Sequence, residues 1–72
     1  MEYQVVKEYG GKKIVIAKSK DYDLMFQRAC GEARDNSNSE FYSEIPIAIE
    51  ERGYYMCGWS STKIILEEVG GK

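Results

Sequence analysis

The sequence contains no histidine, one proline and two cysteines among its 72 residues. Without an imidazole, the chain lacks the usual general base of serine and cysteine hydrolases and the commonest metal ligand. A zinc site would need two carboxylates beside Cys30 and Cys57, which is an uncommon ligand set. The two cysteines lie outside CxxC spacing and are too few to staple a secreted scaffold. We therefore predict no metal, no cofactor and two free thiols, with a disulfide as the alternative.

The sequence also lacks long apolar runs. None approaches the roughly 18 residues that a bilayer-spanning helix needs, and the first residues, MEYQVVKEY, lack the layout of a signal peptide. With 43% hydrophobic residues the chain is not of the disordered type. These features predict one domain over residues 1–72, a cytoplasmic location and no membrane partner.

Charge is unevenly distributed along the chain. Residues 1–20 carry five lysines and two glutamates, a net charge of +3, whereas residues 21–72 carry five basic and ten acidic side chains, a net charge of −5. The two parts of the chain therefore suit partners of opposite charge.

The N-terminal part predicts a β-hairpin followed by a helix. Residues 2–9 and 12–18 are rich in Val, Ile and Tyr, and Gly10-Gly11 between them suits a tight turn. Ser19 or Asp21 can then cap a helix that ends near residues 34–36. Its apolar stripe has helical spacing and consists of Tyr22, Phe26, Ala29 and Ala33. Gly31 weakens this helix by about 1 kcal/mol or allows close approach to the sheet.

The C-terminal part predicts three more strands. Ile45, Ile47 and Ile49 alternate in EIPIAIEE (44–51), which is typical of a half-buried strand, and Pro46 places it at an edge. The other predicted segments are a loop at 36–44 with a helical turn at 39–43, turns at 52–53 and 60–61, strands at 54–59 and 62–69, and a frayed tail at 70–72. The predicted fold is α+β in the order β-β-α-β-β-β, with one helix packed on a mostly antiparallel sheet.

Catalytic motifs are incomplete. Gly10-Gly11-Lys12-Lys13 lacks the upstream glycine and following helix of a phosphate-binding loop. The stretch from Gly58 to Thr62 lacks the second glycine of a nucleophile elbow. Adjacent glutamates at the ends of strands point to opposite faces and do not converge. We therefore predict that the protein is not an enzyme.

The acidic and aromatic C-terminal part predicts a protein-binding surface. Tyr and Trp are enriched in interface hot spots, and carboxylates speed the approach of a basic partner. The predicted contact residues are Glu40, Tyr42, Glu44, Glu50, Glu51, Tyr55 and Trp59. This short, acidic, motif-free profile is similar to that of many small inhibitors encoded by phages and mobile elements, which implies occlusion of a nucleic-acid-handling host protein.

The lysine-rich hairpin supports an alternative function, which is direct binding of nucleic acid. Lys7, Lys12, Lys13 and Lys18 would contact phosphates, while Tyr3 or Tyr9 stacks on bases. The net negative charge and the absence of arginine from the first 27 residues make this alternative weaker.

The stretch YYMCGW (54–59) raises the question of what covers the second face of the sheet. On a strand, Tyr54 and Met56 share one face, whereas Tyr55, Cys57 and Trp59 share the other. One helix covers only one face. The other can be covered by the 36–44 loop, by a second copy of the chain in a homodimer or by a different protein, or its tyrosines can simply lie at the water interface.

Overall fold

The computed structural model describes residues 1–37, 42–58 and 60–70. The elements are β1 (Glu2–Tyr9), β2 (Lys12–Ser19), α1 (Tyr22–Asp35), α2 (Glu44–Arg52), β3 (Tyr54–Cys57) and β4 (Thr62–Val69). The strands form one antiparallel sheet in the order β2-β1-β4-β3, and both helices pack on the same face of it. The predicted α+β class is therefore confirmed, but the predicted order β-β-α-β-β-β is not, because the observed order is β-β-α-α-β-β.

Within the described residues, neither helix has the length and the apolar composition that crossing a membrane would require.

The predicted N-terminal hairpin is confirmed. Gly10 and Gly11 form the turn with φ angles of 60° and 80°, which glycine adopts without strain. A β-bulge interrupts the pairing, because Val5 faces Ala17 and Val6 faces Val15, which leaves Ile16 as the extra residue. The bulge lets Ile16 and Ala17 both pack against the core.

Helix α1 lies where it was predicted, but Tyr22 of the predicted stripe is 39% exposed, whereas Met25 is 4% exposed. The Asp21 carboxylate caps it by accepting a hydrogen bond from the backbone N–H of Leu24 at 3.1 Å. Ala29 and Ala33 are fully buried, so these small side chains form the surface that faces the sheet. The close approach considered at Gly31 is not observed, because a Cβ atom there would meet nothing within 4 Å.

The strand predicted over residues 44–51 is wrong, because this segment forms helix α2. Ile45, Ala48 and Ile49 are buried at helical spacing, whereas Ile47 is 56% exposed. The spacing of Ile45 and Ile49 satisfies both a two-residue and a four-residue period, so the alternation alone did not decide between strand and helix. The predicted fifth strand and its edge position are therefore absent from the described residues.

Signals at the two ends of α2 explain why the helix forms. Pro46 lies in the first turn, where backbone N–H groups have no partner inside the helix, so its missing N–H costs little. Gly53 ends the helix in the left-handed conformation, with φ of 85°, and its N–H donates to the Ile49 carbonyl at 2.9 Å. Glu44 and Arg52 lie at the helix ends that favour their charges.

The last two strands alternate as predicted. Tyr55 and Cys57 of β3 face the helices, opposite Ile64 and Thr62 of β4. Strand β3 ends at Cys57, earlier than predicted. Residue 59, most of the predicted helical turn at 39–43 and the last two residues of the predicted tail lie outside the described residues.

The rotation of α2 about its axis buries Ile49 and exposes Ile47, which predicts different effects of their substitution on stability. Ile49 is 1% exposed, so Ile49→Ala should lower the free energy of unfolding by about 2–5 kcal/mol. Ile47→Ala removes an exposed side chain and should change it by less than about 0.5 kcal/mol. Urea unfolding of the two variants measures the difference. Equal losses would show that both side chains lie on one buried face, as a strand requires.

Substitution by alanine is predicted to have opposite effects on stability at two glycines. Gly53→Ala should destabilise the protein by about 1–2 kcal/mol, because Ala is strained at a positive φ and its Cβ atom would lie 3.4 Å from the Leu66 carbonyl oxygen. Gly31→Ala should stabilise it by up to about 1 kcal/mol, because Gly31 lies inside α1 with open space around it. Thermal and urea unfolding of both variants test this, and a shift of the same sign in both would contradict it.

Candidate functional site

The outer face of α2 places three of the predicted contact residues together. Glu44, Glu50 and Glu51 are all exposed on this helix. Successive residues are rotated by about 100° around a helix, so these glutamates flank Ile47 on the surface. We call this group the acidic α2 face, and it consists of Glu44, Ile47, Glu50 and Glu51. It presents one exposed apolar side chain flanked by three carboxylates, and Arg52 lines the same shallow depression as Glu44, Ile47 and Glu51.

Glu50 of the acidic α2 face lies close to the start of α1. The pKa of Tyr22 is raised, first by its partial burial and then by the charge of Glu50, with smaller effects of Tyr3 and Asp23. Glu50 and Asp23 therefore lie near the same phenol, although they belong to different helices. Tyr22 itself is 39% exposed, so it lies at the surface between these two helix ends.

Tyr42 lies just before α2, at the side of a groove between the helices. It is exposed, and the Arg34 guanidinium lies 5.8 Å from its ring centroid. The groove has a volume of about 610 Å³ and is lined by Phe26, Cys30, Arg34, Tyr42, Ile45 and Pro46. Tyr42 is thus positioned beside the N-terminal end of α2, where Glu44 is exposed.

Tyr55 is placed differently from the other predicted contact residues. It lies on the helix-facing side of β3 and packs partly buried against the core. Burial raises its pKa, Cys57 and Glu44 raise it further, and Arg52 lowers it. Tyr55 therefore packs between the sheet and the helices and does not belong to the acidic α2 face. Glu40 and Trp59 lie outside the described residues.

The lysines of the hairpin divide into two groups. Lys12, Lys13 and Lys18 are exposed on β2. Lys7 lies on the helix-facing side of β1, where its Nζ is 3.9 Å from a carboxylate oxygen of Glu32 on α1. The register places Lys13 and Lys18 on the open face of the sheet, whereas Lys12 shares the helix-facing side with Lys7. The four predicted nucleic-acid contacts are therefore divided between the two faces of the hairpin.

The open face of the sheet, opposite the helices, has one apolar row. Val15, Val6, Ile65 and Tyr54 lie in register across all four strands. The next row along the strands contains Lys13, Glu8, Lys63 and Met56, of which Met56 is 51% exposed. The row on the other side contains Lys18, Gln4 and Glu67. Val6 is only 4% exposed although no second layer covers it in the described residues. Val6 lies on a central strand between Val15 and Ile65, whereas Val15 at the sheet edge is 51% exposed. A homodimer through this face remains a prediction.

The two cysteines are free thiols in protected environments. Burial raises the pKa of both; the Ser37 hydroxyl partly lowers that of Cys57, and Arg34 partly lowers that of Cys30. The Cys57 thiol donates a hydrogen bond to the Ala33 carbonyl at 3.4 Å. In the part of the chain that the structure describes, no three His, Cys, Asp or Glu side chains converge as metal ligands would.

The chain matches no family model, no curated protein and no solved structure. Its function is therefore inferred from its own residues.

The protected thiols predict that stability falls at alkaline pH. Because the pKa of Cys57 lies above its ordinary value of 9.0 in the folded chain, the fold favours the protonated thiol. This contribution is complete below pH 9 and decreases as the thiol ionises in the unfolded chain at higher pH. The free energy of unfolding should therefore fall as the pH rises above 9.0, and fall less in Cys57→Ala. Urea unfolding across this range measures it, and an unchanged slope in the variant would contradict the assignment.

Proposed function

We propose that this protein is a non-enzymatic binding module that attaches the acidic α2 face to a basic surface of another protein. The observation that carries this proposal is the exposure of Ile47 among the three glutamates of that face. An exposed apolar centre with a charged rim has the general arrangement of a protein interface, in which the centre is desolvated and the rim stays accessible to water.

The chemistry of the acidic α2 face defines the kind of partner. Its carboxylates attract a surface rich in lysine and arginine and raise the association rate at low ionic strength. Proteins that handle nucleic acids present such surfaces to phosphates. A rigid acidic helix bound there would block access of the nucleic acid, which is how a small inhibitor of the kind encoded by phages would act.

Two further observations support a binding role over catalysis. Both thiols have raised pKa values, which keeps them protonated and poorly nucleophilic near neutral pH. The absence of histidine from the sequence removes the usual activating base. Free thiols also suit a reducing compartment, so we place the protein in the cytoplasm as part of this proposal.

Nucleic-acid binding through the hairpin is the second candidate. The exposed lysines of β2 and the exposed ring of Tyr9 at the hairpin tip favour it. The pairing of Lys7 with Glu32 and the position of Glu8 opposite Lys13 reduce the positive potential there.

Capture of a partner by the immobilised full-length chain tests the proposal. Glu44→Gln/Glu51→Gln should weaken binding of a basic protein by about 1–2 kcal/mol, because it removes two rim charges while keeping their size. Glu67→Gln/Glu68→Gln is the matched control, since it removes two exposed charges from β4. The lysate is tested before and after nuclease digestion, and the affinity of the isolated partner is then measured at several salt concentrations.

The expected result is a discrete basic protein that survives nuclease digestion and is lost only with the α2 variant. Capture that disappears after digestion would favour the lysine hairpin. Equal weakening by both double variants would mean that net charge, and not the acidic α2 face, is recognised.

A further inference from the structure

Strand β2 forms the longer of the two edges of the sheet. The strand order places β2 at one end of the sheet, so it pairs only with β1 among residues 1–37, 42–58 and 60–70. It is eight residues long, whereas β3 at the opposite edge has four. An edge strand has backbone N–H and C=O groups available for pairing with another extended chain.

The side chains of this edge define what can pair with it. Ile14 is 56% and Val15 is 51% exposed, and they lie between Lys12 and Lys13 on one side and Lys18 on the other. Strand β2 contains no acidic residue. A strand added here would meet two apolar side chains in the middle and ammonium groups near both ends.

A second copy of β2 does not fit this edge. In the antiparallel register that aligns the two strands along their full length, Lys13 of one copy would lie opposite Lys18 of the other. Like charges directly opposite each other destabilise a strand pair. Lysines on an edge strand thus prevent self-pairing, as in many natural sheets.

We propose that the β2 edge binds an extended acidic segment of a partner protein, which adds a strand to the sheet. Its carboxylates would lie opposite Lys13 and Lys18, and its apolar residues opposite Ile14 and Val15. Backbone hydrogen bonds supply affinity in this mode of recognition, and alternate side chains supply specificity. The bulge at Ile16 disrupts the regular strand geometry, so the most regular pairing spans residues 12–15.

An acidic peptide fits this edge better than nucleic acid does. The exposed Ile14 and Val15 between the lysines would face water or phosphates in a nucleic-acid complex, but they pack on apolar side chains in a strand pair. Arginine, which reads bases, is absent from β2. The edge and the acidic α2 face lie at opposite ends of the sheet, because α2 packs beside β3. Occupation of one therefore leaves the other accessible.

The test uses the full chain and a synthetic eight-residue peptide with blocked ends. The peptide has Glu at the positions opposite Lys12, Lys13 and Lys18, Val opposite Ile14, Val15 and Ile16, and Thr elsewhere. We expect saturable binding, with NMR shift changes and slower amide exchange concentrated on β2. A peptide with Lys in place of each Glu should bind at least tenfold more weakly, and so should a single-stranded oligonucleotide of the same charge as the acidic peptide.

Two charge reversals form a matched pair for this test. Lys13 and Lys63 both lie opposite Glu8 in one row of the open face, but only Lys13 belongs to the edge strand. Lys13→Glu should weaken binding of the acidic peptide at least tenfold, whereas Lys63→Glu should change it less than threefold. A peptide in which Lys replaces the Glu opposite residue 13, and the other two glutamates are kept, should recover binding to the Lys13→Glu variant.

Each outcome decides the proposal. Selective loss in Lys13→Glu with recovery by the swapped peptide supports it. Absence of binding, equal loss in both variants, shift changes outside β2, or tighter binding of the oligonucleotide would overturn it.

Discussion

Burial of the α2 side chains Ile45 and Ile49 determines which residues of this helix are exposed to solvent. Both side chains join the core formed by α1 and the sheet. This packing fixes the rotation of α2 about its own axis, and a helix has no freedom to change one face without moving the others. Ile47 and the glutamates around it must then face solvent. The same two contacts that stabilise the helix therefore create the acidic α2 face.

The strand order places the basic and the acidic parts of the sequence at opposite ends of the sheet. The hairpin with most of the lysines forms one end of the sheet, since β2 is an edge and β1 lies next to it. The acidic α2 packs at the other end, beside β3. Because β4 lies between β1 and β3, the two charged surfaces do not neutralise each other. The modest net charge of −2 thus conceals two surfaces of opposite sign on one small domain.

Local signals determined how much of this fold could be predicted. The hairpin and α1 have unambiguous turns, caps and periodicity, and the structure agrees with them. Segment 44–51 fits two periods, because the alternation of isoleucines favours a strand, whereas Pro46 and Gly53 at its ends favour a helix. Those two residues are helix start and stop signals. Weighing them would have placed Ile47 on the outer surface. The partly buried position of Tyr55 depends on packing between distant segments, which periodicity does not contain.

The open face of the sheet shows why both proposed surfaces lie at the margins of the molecule. Alternation along each strand leaves one apolar row there, between rows that carry lysines and carboxylates of both signs. Tyr54 at the end of the apolar row lies against cationic groups of Arg52 and Lys63, at 5.0 Å and 4.5 Å from its ring centroid. These contacts occupy its π face within the chain itself. A face whose aromatic and charged groups already have partners gains little from a new one. Ile47 lies outside this face among the glutamates of α2, and Ile14 lies outside it among the lysines of the β2 edge, so binding is expected at those two positions.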